Sequence, residues 1–98
     1  MRTEIKGIHL DVTEKVKDFI DKRLHKIDFA QDMIIDLVLT LTKEKRSFKI
    51  EANLHFRWGA TAHLSADSYD VFEAIDSLAE KLETKVIREK EKIQEHNT

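Results

Sequence analysis

Four cations near the end of the 98-residue chain, Lys81, Lys85, Arg88 and Lys92, stand at offsets of zero, four, seven and eleven. On a helix turning about 100° per residue they fall within about 60° of one another. Such a stripe suits the phosphates of a nucleic-acid backbone. Glu80, Glu83, Glu89 and Glu91 mostly project elsewhere on this reading. The rival is a solvated helix face with local ion pairs, for example Glu89 to Lys92. Upstream, Lys15, Lys22 and Lys26 share a weaker line, with Arg23 at the border of an apolar face and Asp18 and Asp21 diluting it. Residues 43–57 add five bases against two acids. These cations would border a groove or guard a sheet edge.

Other constellations carry less. His55 and His63 could meet on neighbouring strands, but no third ligand with familiar spacing joins them and cysteine is absent, so no metal site is expected. His63, Ser65 and Asp67 hold the letters of a triad without a nucleophile elbow. Asp67, Asp70, Glu73 and Asp76 gather where a helix begins, and there the dipole accounts for acids without catalysis. There is no glycine-rich phosphate loop. No enzyme, cofactor or small-molecule substrate is expected. Phe56 and Trp58 fit the core face of a strand better than a base-stacking platform, with Trp58, beside a turn, open to partial exposure.

These residues need elements to place them. Residues 2–10 alternate like a strand. Thr13 can cap a helix over 14–27, whose apolar face is Val16, Phe19, Ile20, Leu24 and Ile27. After a connection at 28–32, residues 33–43 form a strand with Ile35, Leu37, Leu39 and Leu41 on one face. Phe48, Ile50, Ala52, Leu54, Phe56 and Trp58 alternate strictly with polar residues, which marks a half-buried strand. Gly59 turns the chain into a strand over 60–66. Asp67 or Ser68 caps a last helix running past residue 90, with Val71, Ile75, Leu78, Leu82, Val86 and Ile93 as its stripe and a polar end at His96-Asn97-Thr98. The order β-α-β-β-β-α predicts an α+β two-layer sandwich: an antiparallel four-stranded sheet with two helices on one face.

Composition sets the bounds. The length suits a single domain over 1–98. Charged residues make up 37% of the chain, yet 17 bases against 19 acids leave a net −2. That excludes a uniformly basic nucleic-acid binder but not a polarised one: residues 67–80 hold five acids and no base. Without cysteine there are no disulfides, thiolate metal sites or cysteine nucleophiles. No apolar run approaches the roughly 20 residues of a membrane span, and the first residues lack a signal-peptide core. A cytoplasmic protein that does not enter membranes is expected.

Several segments together are similar to a known family. They are Ile5 and Gly7 leading to Asp11-Val12-Thr13-Glu14, the basic Arg23-Leu24-His25-Lys26-Ile27, and Ala52-Asn53-Leu54-His55. Most specific are Ser65-Ala66, Asp70-Val71-Phe72-Glu73-Ala74-Ile75-Asp76, then Lys81-Leu82, Arg88 and Lys92. Over nearly the whole chain the sequence resembles the short bacterial ribosome hibernation promoting factors and the related ribosome-associated inhibitor A. The resemblance implies a fold like a double-stranded-RNA-binding domain in outline. It implies binding to ribosomal RNA in the decoding region of the small ribosomal subunit, blocking messenger RNA and tRNA and silencing translation under stress or in stationary phase. Ribosome dimers formed with an additional factor are a further implied partner state. Carried over residue by residue, the RNA contacts are Arg23, Lys26, Lys81, Arg88, Lys90 and Lys92; the two stripes add Lys22 and Lys85.

The chain departs from the pattern in places. Thr84 stands where the family often has Arg, Lys85 where it has Gln, and Phe72 where it has Tyr. The hairpin Arg57-Trp58-Gly59-Ala60 is longer and bulkier than in short relatives. Neither a dimerisation domain nor an acidic tail is expected after residue 98. Two other readings stand beside this one: an RNA-binding module of different purpose, and a protein-interaction domain that dimerises through a strand edge or Trp58.

Overall fold

The computed structural model describes residues 1–96; Asn97 and Thr98, part of the expected polar end, lie outside the described residues. Strand β1 (Arg2–Ile8) leads to helix α1 (Glu14–Leu24), which runs into 3₁₀ turns over His25–Met33. Strands β2 (Ile34–Lys43), β3 (Phe48–Phe56) and β4 (Thr61–Ser68) follow, then helix α2 (Val71–His96). The α+β order expected from the sequence is the one observed.

The sheet order is β1-β2-β3-β4, with β2, β3 and β4 antiparallel in sequence. β1, however, pairs parallel to β2, so the sheet is mixed rather than antiparallel. The cause is the crossover: α1 and the 3₁₀ turns carry the chain back before β2 begins, as a parallel pair requires. Ile5, Leu39, Ala52 and Leu64 form one row across all four strands.

Both helices cover one face. Ile20 and Leu24 of α1 meet Leu39 and Ile50 of the sheet and Ile75, Leu78 and Leu82 of α2. Phe19 packs edge-on against Phe72, with centroids 4.9 Å apart, and Arg23 pairs with Asp76. The second contact is four residues further along both helices, so the helices run in the same direction. The polar face of the sheet is left open.

Local sequence explains the joints. Thr13 is extended, and its Oγ1 accepts from Val16 N at 3.3 Å, capping α1. α1 ends at Leu24 rather than 27, where the backbone tightens into 3₁₀ turns interrupted at Ile27. The cap of α2 is Asp70, not Asp67 or Ser68. Asp70 Oδ1 accepts from Phe72 N at 2.9 Å, and Asp70 O from Ala74 N at 3.1 Å. Asp67 and Ser68 are still in β4, opposite Lys49 and Phe48.

One apolar residue departs from its expected face and another from its expected strand. A bulge between Ile34 and Asp36 buries Ile34 and turns Ile35 outward, 46% exposed. Phe56 ends β3 in the core, whereas Trp58 lies beyond the strand, 41% exposed. Among the described residues no helix is long and apolar enough to cross a membrane.

Candidate nucleic-acid interface

Strand directions gather the nominated cations. β2 starts where β3 ends, so the C-terminal end of α1, the 3₁₀ turns and the β3–β4 hairpin share one pole of the molecule. α2 starts after β4 and runs back along it toward that same pole. Its 26 residues span about 39 Å, whereas the eight of β4 span about 27 Å. The last turns of α2 therefore overhang the sheet. Lys22 and Arg23 in the last turn of α1 also complement its dipole.

Beside β4, α2 borders an open groove of about 440 Å³ lined by Leu64, Ser77, Lys81, Thr84, Lys85 and Arg88, with Glu80 the acid among its walls. Three of the four stripe cations thus share one depression. Lys81 Nζ donates to the carbonyl of Ser65 at 2.7 Å, which fixes it at the rim between groove and sheet edge. Lys85 and Lys92 are held differently: their Nζ atoms lie 3.1 and 3.6 Å from Glu89 Oε1. Glu89 is the one buried charged residue among the described residues, 7% exposed. Burial pushes its carboxyl up, but the hydrogen bond and charge of Lys85, joined by Lys92, more than offset this and hold it below the ordinary glutamate value. The local pairing of Glu89 with Lys92 is therefore present alongside the stripe. Glu89 does not project away from it.

The other nominated residues divide. Arg23 is committed within the fold: its Nε pairs with Asp76, and its guanidinium lies 4.3 Å from the centroid of the Phe19 ring. Lys90 Nζ sits 5.4 Å from the centroid of Phe29. Lys22, Lys26 and Arg88 are exposed and, among the described residues, pair with no carboxylate. Nearby Asp28 is already engaged. The hydrogen bond from His25 Nδ1 at 2.7 Å holds its carboxyl below the usual range against slight desolvation, and Gln31 Nε2 adds a second at 3.0 Å. On the open sheet face His63 meets Asn53 at 2.9 Å and Glu51 at 3.5 Å, while His55 lies 3.8 Å from Asp36.

The burial of Glu89 with its pairing to Lys85, and Asp76 as the partner of Arg23, were missed. A signal for the first was present, since Glu89 follows Leu82 by seven and Val86 by three, on the apolar stripe. For Asp76 there was none, because its partner is on the other helix.

The family model described as "Sigma 54 modulation protein / S30EA ribosomal protein" matches residues 3–94. The chain belongs to this family. A ribosome hibernation promoting factor of Azotobacter vinelandii is 37% identical over 92 residues, covering 94% of this chain and 85% of that protein. One from Escherichia coli K12 is 30% identical over 96 residues, covering 98% of this chain and all of its own. A ribosomal subunit interface protein from Coxiella burnetii superposes with a TM-score of 0.84 at 27% identity, covering 92% of this chain and 98% of that one. The N-terminal domain of Thermus thermophilus Protein Y gives 0.79 at 25%, covering 90% and 98%.

Proposed function

We propose that this protein is a ribosome hibernation factor: a non-enzymatic regulator that binds ribosomal RNA in the decoding region of the small subunit, excludes messenger RNA and tRNA, and so silences translation in the cytoplasm. Relatives of nearly the same length carry the hibernation name. The observation that carries the RNA-facing part is the alignment of Lys81, Lys85 and Arg88 along one open groove. A row of cations about one helical turn apart meets successive phosphates, and binding releases their counterions. Of the acids of residues 67–80, Asp67, Asp70 and Glu73 stand where β4 ends and α2 starts, while Asp76 is held by Arg23 and Glu80 borders the groove. A near-neutral chain can thus present a cationic face. The action is steric and needs no bond chemistry.

The test is co-sedimentation with purified small subunits at physiological salt. Lys81 and Arg88 are the positions to reverse, because neither pairs with buried Glu89. The variant Lys81→Glu/Arg88→Glu is expected to fold and to lose binding at least tenfold, since two phosphate contacts become repulsions. Binding unchanged from the parent sinks the groove reading. A generic duplex-RNA binder would not compete with tRNA and messenger RNA on the subunit, whereas this protein is expected to.

A further inference from the structure

The β3–β4 hairpin mounts the chain's single tryptophan on the core. Trp58 stacks on Phe56, which is fully buried, with centroids 5.0 Å apart and planes 17° from parallel. One face of the indole is braced in this way, yet the residue stays 41% exposed. The turn beneath it is fixed. Phe56 N donates to Ala60 O at 2.8 Å, Gly59 N to Phe56 O at 3.0 Å, and Gly59 takes a φ of 90°. Arg57 fastens the hairpin to the 3₁₀ turns twice, through N to Met33 O and Nη1 to Asp32 O, both at 3.0 Å. A rigid aromatic held in this way loses little entropy on binding.

The surroundings say what the platform fits. The hairpin shares its pole with the C-terminal ends of both helices and their cations. A second open aromatic, Phe29 at 49% exposure, stands there under Lys90. Asp28 and Glu89, two acids of this pole, are already engaged by their neighbours. An apolar protein partner calls for a wide apolar patch. Flat aromatics interleaved with cations match a chain of bases and phosphates.

We propose that Trp58 is a stacking platform for an unpaired base of the ribosomal RNA at the binding site. This deepens the ribosome-binding reading and rests on it. Stacking adds affinity without adding phosphate contacts, so it shifts the height but not the slope of log affinity against log salt.

The experiment is co-sedimentation of the full chain with purified small subunits over a salt series. Trp58→Ala and Trp58→Leu are each expected to bind about tenfold more weakly at every salt, with unchanged slope, while Trp58→Phe stays within about threefold of the parent. Leu keeps apolar cover over Phe56, so matched thermal unfolding of the Leu and Phe variants separates lost stacking from lost folding. Parent-like binding by the Ala variant, or equal binding by Leu and Phe, overturns the proposal. A salt-insensitive dimer that needs Trp58 overturns it in favour of a second copy of this chain. Failure of the parent itself to bind in a salt-dependent way overturns the ribosome-binding reading, and this proposal with it.

Discussion

Glu89 shows how one residue couples stability to the cationic stripe. Its depressed carboxyl contributes stability that is fully present above the ordinary glutamate range and is lost as pH falls through the lower folded value. Lys85→Met removes the nearer counter-ion and leaves a buried carboxylate held by Lys92 alone. The expected cost is about 1–3 kcal/mol at pH 7, shrinking as acid protonates Glu89 in both proteins. Urea unfolding at pH 7 and again below pH 4 checks this; an equal cost at both pH values would refute it. At this scale the sequence was partly legible. The stripe is visible as a spacing, but which lysines are already occupied depends on a carboxylate placed by packing.

Among the elements, the turn after β1 is the tightest constraint. A Cβ on Gly7 would stand 2.2 Å from the carbonyl oxygen of Leu10 and 3.0 Å from Val12 Cγ2. Backbone on one side leaves no room to yield, so Gly7→Ala is expected to destabilise by about 1–3 kcal/mol, read as a lowered denaturant midpoint. The elements themselves were legible because their periods are clear: the alternation from Phe48 and the threes and fours from Val71 survive intact. The misses have local causes. The Ile34/Asp36 bulge breaks parity within β2, the Asp70 cap competes with three nearby oxygen-bearing residues, and the direction of β1 is set by the crossover rather than by β1 itself. Trp58 continues the alternation of β3 on paper, but the strand stops at Phe56.

The whole molecule measures 49 × 21 × 20 Å, elongated in keeping with the overhang of α2. Its charge is divided along that length, so contributions to binding should divide likewise. Arg88→Met is expected to lower the slope of log affinity against log salt by about 0.7–0.9, the share of one phosphate, whereas Glu73→Gln, in the first turn of α2, leaves the slope unchanged. A filter-binding salt series reads both. One feature of the groove reaches beyond the single molecule. Counting by twos from the Phe56–Ala60 bond, Ser65 opposite Glu51 turns its carbonyl away from β3, toward the bare margin of the sheet. Lys81 occupies that carbonyl. A strand arriving from another copy would meet an ammonium group instead of a free acceptor, so the outermost strand is a poor template for fibre growth. The lysine proposed to meet a phosphate would therefore also help keep the protein dispersed when it is abundant.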